Sequence, residues 1–185
     1  MDRFSILVGD LTASDAEAIV NAANPTLLGG SGVDGAIHAA AGPELLAECR
    51  TLHGCETGQA KLTGGYRLKA RYVIHTVGPM TKGSPTVEQR KQLTQCYLNC
   101  LDAAALDGAK SIAFCCISTG VFGFPQQEGA AIATNAVKTW LDTRKPGEPG
   151  ADMHVIFDVY TEEDEEYYRE ILGPDAKAGE EAAEE

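Results

Sequence analysis

Residues 21–42 read "NAANPTLLGGSGVDGAIHAAAG", about half of it glycine or alanine. Asn24 stands on one side of the glycines and Asp34, the only acid in the stretch, on the other. Such a segment is either a long surface loop or a loop that closes on a ligand. Asn24 also suits a turn or cap before Pro25, and Asp34 suits the first turn of a helix, where negative charge is favoured. A second glycine-bearing stretch, "ISTGVFGFP" at 117–125, leads into a helical pattern near Gln126. Gly120 and Gly123 let its backbone turn inward and present N–H groups, and the helix start adds partial positive charge. That is a phosphate cradle in physical terms, although alone it is as well explained by a simple turn.

The cysteines carry less. Cys49, His53 and Cys55 suggest zinc, but no second pair stands at finger spacing, so no metal is expected. Cys115 and Cys116 adjoin in "SIAFCCIS", where both are expected to be buried on opposite faces of a strand as small hydrophobes.

These residues must be positioned by a fold, and the rest of the chain supplies its pattern. Five short apolar runs, "FSILVG", "AEAIVNAA", "ARYVIHTVG", "SIAFCCIS" and "MHVIFDVY", alternate with helical patterns over 33–41, 43–52, 86–106 and 126–141. Thr86 or Ser84 can cap the third helix, and "PGEPG" closes the fourth. Strands apolar on both faces and separated by helices indicate a three-layer α/β/α domain with a mixed, largely parallel sheet. One domain over 1–173 is expected. The acidic end, 174–185, is expected to be a disordered tail after a solvated helix that starts near Thr161.

The charge excludes several classes of function. A net charge of -12 argues against nucleic acid, whose phosphates need clustered Lys and Arg. Any anionic ligand must therefore be held mainly by backbone N–H groups. No apolar run approaches the roughly 18 residues of a membrane helix. The start "MDRFSILVGDL" lacks the pattern of a signal peptide, so a cytoplasmic location is expected and no membrane partner.

Taken in order, "GDLT", "IVNAANPTLLGGSGVDGAIHAAAG", "CETGQAKLTGGYRL", "YVIHTVGP" and "ISTGVFGFP" resemble a macrodomain of the MacroD-type branch, from Phe4 to about Leu172. The resemblance implies an α/β/α fold that binds ADP-ribose without a cofactor. It also implies hydrolysis of mono-ADP-ribosyl esters on acidic side chains of proteins and of O-acetyl-ADP-ribose. Carried onto this chain, it assigns Asp10 to the exocyclic amino group of adenine and the Leu11 N–H to the adjacent ring nitrogen, with Tyr160 stacked on the ring. The diphosphate would lie against Ser118, Thr119, Gly120, Val121 and Phe122 on one side and Gly32 and Val33 on the other, with Phe124 helping to wall the pocket.

The distal ribose would fall between Asn24 and Asp34, the residues implied to carry the chemistry. A carboxylate there can position water and stabilise a positively polarised sugar ring. His38, one turn beyond Asp34, is a candidate supporting group. Phe122 and Phe124 stand where this family often has tyrosine, and Ser31 interrupts the usual glycine run. The missing hydroxyls remove possible hydrogen bonds to the ligand and predict a weaker hold on it. A non-catalytic reader of ADP-ribose or poly(ADP-ribose), and a phosphatase for ADP-ribose-1″-phosphate, remain the alternatives.

Overall fold

The computed structural model describes residues 3–173 and 177–178. In chain order the elements are β1 (Phe4–Val8), β2 (Ala18–Ala22), α1 (Gly32–Ala41), α2 (Pro43–Arg50), β3 (Ala60–Gly64), β4 (Tyr72–Thr76), α3 (Val87–Leu106), β5 (Ser111–Phe114), α4 (Gln126–Asp142), β6 (His154–Val159), α5 (Glu162–Leu172) and β7 (Lys177–Ala178). A short 3-10 turn, Leu11–Ala13, follows β1. Every apolar run expected to be a strand becomes one, and every expected helix forms.

The local chemistry explains the boundaries. Thr86 starts α3 with a reciprocal capping box, its side chain accepting from the Gln89 N–H while Gln89 accepts from the Thr86 N–H. Gly42, at φ 89°, ends α1, and Pro43 opens α2 at the position that needs no N–H. One strand within the body that sequence periodicity does not reveal is β3, "AKLTG". It carries Lys61 and Gly64 and is defined by antiparallel pairing with β4, Ala60 opposite Thr76 and Gly64 opposite Tyr72.

The sheet runs β3-β4-β2-β5-β6-β1-β7, and all its neighbours except β3 and β4 are parallel. Helices α3, α4 and α5 pack side by side over one face, while α1 and α2 cover β2 and β3 on the other. On the first face Tyr97 of α3 meets Phe114 with ring centroids 5.0 Å apart, and Tyr168 of α5 meets Phe157 at 4.9 Å. These rings bury large apolar areas and lock both helices to the sheet. Because β2, β5, β6 and β1 are consecutive and parallel, their carboxyl ends share one edge. Three steps of about 4.8 Å spread the loops that follow them over roughly 14 Å.

Two expectations need correction. β5 stops at Phe114, so Cys115 and Cys116 lie beyond the strand; Cys115 is buried but Cys116 only partly so. Lys177 and Ala178, assigned from sequence to the tail, pair with Ser5 and Ile6 of β1. The remainder of 174–185 lies outside the described residues. No described helix is long and apolar enough to cross a membrane.

The loop before α1 runs tightly over the start of that helix. A Cβ on Gly35 would lie 2.5 Å from the Gly30 carbonyl oxygen, so only glycine allows this approach. Gly35→Ala should force the loop off the helix and cost about 1–3 kcal/mol, as overpacking does. Urea unfolding would measure it, and unchanged stability would show that the loop is not held against α1.

Candidate functional site

Asn21 and His75 stand at paired positions of the parallel strands β2 and β4, and both side chains are fully buried. Their polar groups must find partners there, because an unpaired buried group costs about 1–3 kcal/mol. Asn21 Nδ2 lies 2.9 Å from Asp34 Oδ1 and 3.1 Å from His75 Nδ1. Asp34, in the first turn of α1, is only 4% exposed. His38 Nε2 lies 3.5 Å from the same Oδ1 without the alignment of a hydrogen bond. Asp34 Oδ2 instead faces Gly30, where an added Cβ would come within 3.1 Å of it and 3.4 Å of Asn24 Nδ2. The structure thus brings Asn24 and Asp34 together at the one space that a side chain on Gly30 would fill.

Asn24 is tied into its own loop. Nδ2 donates to the Gly29 carbonyl at 2.9 Å, and Oδ1 accepts from the Thr26 N–H at 3.0 Å and from the Thr26 hydroxyl. These bonds shape the turn that carries the chain from β2 to α1. At Ser31, Gly32 and Val33 the chain enters α1 with no side-chain cap, leaving backbone N–H groups of the first turn as donors.

The loop after β5 lies on the neighbouring strand. Its left-handed positions are Ser118, at φ 65°, and Gly123, at φ 77°, whereas Gly120 has ordinary backbone with open space where a side chain would go. The sequence expectation that Gly120 supplies the inward turn is corrected accordingly: Ser118 makes it. Phe124 N–H donates to the Ser118 carbonyl at 2.9 Å, and Gly123 N–H to the Gly120 carbonyl at 3.0 Å. Thr81, from the segment after β4, donates its N–H to the Phe122 carbonyl at 2.9 Å and so straps the loop from outside. Behind it, the Tyr97 hydroxyl accepts from the Ile117 N–H at 3.4 Å. Thr119 is half-buried, Val121 is exposed and Phe122 half-buried at the rim. Phe124 is 2% exposed, packed inward beside Gly129, so it supports the loop from beneath and does not wall its opening.

At the other end, Asp10 follows β1 and caps the short turn, Oδ1 accepting from the Thr12 N–H at 2.9 Å and the Thr12 hydroxyl at 2.7 Å. Leu11 is buried beneath. Tyr160, just past β6, is 88% exposed, its ring free to lie on a flat partner. Asp158 of β6 is buried near Asp10, and sequence reading passed over it. Burial pushes its carboxyl up to about 7, helped by the charge of Asp10 and opposed by the Gly9 backbone.

Among the described residues, the buried side-chain polar atoms without a hydrogen-bond partner are Asn21 Oδ1, His38 Nε2, Ser118 Oγ and Asp158 Oδ2. Each belongs to the carboxyl edge of the sheet or to α1 beside it. Unsatisfied buried polar atoms are rare in folded proteins, and these four gather along one edge. Asn21 and His75 were missed in the sequence, yet they carried a signal: each is a polar residue inside a run apolar on both faces. Cys49 does not join His53 and Cys55 in a ligand set. Its sulfur lies 3.8 Å from His75 Nε2, its thiol is pushed up to about 11 by burial and neighbouring acids, and His53 is exposed. No group of three metal-binding side chains occurs among the described residues.

In an α/β/α sheet, ligands bind in the crevice outside the carboxyl ends of adjacent parallel strands, and the loops described above gather at that edge. The family model described as Macro domain matches residues 20–133. The ADP-ribose glycohydrolase MACROD1 of Bos taurus is 51% identical over 171 residues, which cover 92% of this chain and 51% of that protein. The ADP-ribose glycohydrolase MACROD2 of Homo sapiens is 47% identical over 176 residues, 92% of this chain and 39% of that one. A Trypanosoma brucei macrodomain crystallised in complex with ADP-ribose superposes with a TM-score of 0.84 at 41% identity, covering 92% of this chain and 69% of that chain. The chain belongs to the macro domain family. It spans about half the length of the MACROD1 relatives from Bos taurus and Mus musculus.

Asp158 makes stability depend on pH in a defined direction. Its folded value is raised above that of an unfolded carboxyl, so its contribution is fully present below about pH 4 and is lost as the pH rises towards 7. Asp158→Asn removes this dependence. The variant should gain on the parent across that window and be more stable at pH 8, by up to a few kcal/mol at about 1.4 kcal/mol per pH unit. Parallel stability curves from urea melts at pH 5 to 8 would show that Asp158 titrates as an ordinary carboxylate.

Proposed function

We propose that this chain binds ADP-ribose along the carboxyl edge of its sheet and hydrolyses mono-ADP-ribosyl esters on acidic side chains, together with O-acetyl-ADP-ribose. The observation that carries the reading is the Asp34 carboxylate, buried with Oδ1 anchored by Asn21 and Oδ2 turned to the space beside Gly30 that Asn24 Nδ2 also borders. The relatives named as ADP-ribose glycohydrolases and the macrodomain crystallised with ADP-ribose support it.

In this reading adenine lies at the β1 and β6 end. Asp10 accepts from its amino group, the Leu11 N–H donates to the ring nitrogen beside it, and Tyr160 covers its face. The diphosphate crosses β5, held by N–H groups of residues 118–122 and, from the other side, by the first turn of α1 at Gly32 and Val33. This suits a protein of net charge -12, because peptide dipoles hold an anion without any basic side chain. The distal ribose reaches β2, where Asn24 orients it. Asp34 Oδ2 positions the attacking water and stabilises positive charge on the sugar ring, while His38 supports Asp34 from the next turn.

A group that acts mainly in the transition state contributes to rate more than to affinity. Asp34→Ala should lower single-turnover hydrolysis by on the order of 10²–10⁴-fold and leave most of the ADP-ribose affinity. The deciding experiment incubates parent and variant with an acid-linked mono-ADP-ribosylated peptide and follows free ADP-ribose, with calorimetry on the same preparations. A variant as fast as the parent would remove Asp34 from the mechanism, and an inactive parent that binds ADP-ribose would leave a reader.

Gly120 has open space on its Cβ side, so Gly120→Glu should fold normally while placing a carboxylate against the diphosphate. Affinity should fall by far more than the ~1 kcal/mol of one lost hydrogen bond. Near-parental affinity in calorimetry would place the phosphates elsewhere.

A further inference from the structure

The hydrogen bonds behind Asp34 do not stop at Asn21. The Asn21 amide nitrogen carries two protons; one faces Asp34 Oδ1 at 2.9 Å and the other faces His75 Nδ1 at 3.1 Å. An amide nitrogen only donates, so Nδ1 must accept, and the proton of the neutral ring sits on Nε2. Nε2 lies 2.9 Å from Thr63 Oγ1, whose hydroxyl lies 3.2 Å from the Gly64 carbonyl and donates to it. The series runs from the edge strand β3 through β4 and β2 to α1, and every side chain in it is buried.

We infer that His75 is a positioning residue for the hydrolysis proposed above: its unprotonated Nδ1 holds the Asn21 amide with its nitrogen towards Asp34, and so decides which carboxylate oxygen is left for the ligand. The inference rests on that reading of Asp34. Reversing the Asn21 amide would set its oxygen against Asp34 Oδ1, two acceptors facing each other, and would leave His75 Nδ1 without a donor. Protonating Nδ1 would have the same effect, since Asn21 would then meet a donor. The surroundings guard against this. Burial, together with the neighbouring His38, pushes the His75 imidazole down to about 4. The other titratable group in contact with the ring, the Cys49 thiol, is itself pushed up to about 11. The Asn21 amide is therefore held in one orientation at neutral pH by a histidine that touches neither Asp34 nor the ligand.

Three measurements test it. First, 15N shifts of the parent protein at pH 7.5 should show His75 as the neutral tautomer protonated on Nε2; protonation on Nδ1 overturns the inference whatever the kinetics. Second, His75→Leu keeps apolar bulk but removes the acceptor. It should lower kcat on the acid-linked substrate by on the order of 10- to 100-fold, the scale of losses from small misplacements near reacting groups, with the Kd for ADP-ribose within about threefold of the parent. Third, His75→Asn places Oδ1 near the former Nδ1 and should restore most of the lost rate, although it gives up the Thr63 contact. Equal losses in both variants would mark His75 as merely structural and overturn the inference, as would a parental rate in His75→Leu. Should His75→Leu fail to fold, the tautomer measurement and the rate of His75→Asn decide. A parent that releases no ADP-ribose from the ester overturns the hydrolase reading and this inference together, whereas an active parent with an indifferent His75 overturns the inference alone.

Discussion

A carboxylate placed inside a protein must be given donors, and the bond from Asn21 to Asp34 is the one around which this molecule is arranged. Asp34 cannot remain 4% exposed on a helix that packs against the sheet unless the strand beneath offers it a proton. Asn21 offers one from near the carboxyl end of β2. That single requirement places a polar residue in a core strand, sets the rotation of α1 above it, and forces the connecting loop to pass close over the helix start. Gly35 makes the passage sterically possible, and Gly30, having no side chain, leaves room for Asp34 and Asn24 to approach the same space.

The excess of acid in the chain constrains the rest of the edge. An anion approaching a protein of net charge -12 meets long-range repulsion, so the diphosphate of the proposed ligand would depend on fixed peptide dipoles at short range. The left-handed Ser118, the strap from Thr81 to Phe122 and the Tyr97 hydroxyl under Ile117 hold the loop after β5 in one shape, so its N–H groups need no reordering to meet an anion. Core aromatics contribute to this rigidity: Tyr97 both packs on Phe114 and anchors the loop, which ties packing on one face of the sheet to ligand geometry at its edge.

The consecutive parallel order β2, β5, β6, β1 places four separate loops along one edge. Each strand end contributes a different chemistry: an amide and an acid after β2, backbone donors after β5, an aromatic ring after β6 and a carboxylate after β1. The unpartnered buried atoms fall along the same line, which is where a polar ligand would repay the cost of leaving them unmet.

The sequence by itself determined the local structure and the order of the loops. Five strands and the helices were legible because apolar spacing, the Thr86 box and the Gly42-Pro43 break act over a few neighbouring residues. Asn24, Asp34 and the loop at 117–125 were legible because glycine, amide and acid stand at short range in a recognisable order. Tertiary structure alone decided that β3 joins the sheet, since its pattern is too mixed to declare a strand without the β4 backbone to pair with. It also decided that Phe124 turns into the core, and that the left-handed turn falls on Ser118 and not on Gly120. Above all it decided the partners of Asn21: Asp34 lies 13 residues away and His75 54, and His75 in turn meets Thr63 12 residues before it. No periodicity encodes which buried donor meets which buried acceptor across a sheet. Strand order and register bring them to hydrogen-bonding distance, and the high cost of an unpaired buried polar group then holds them there.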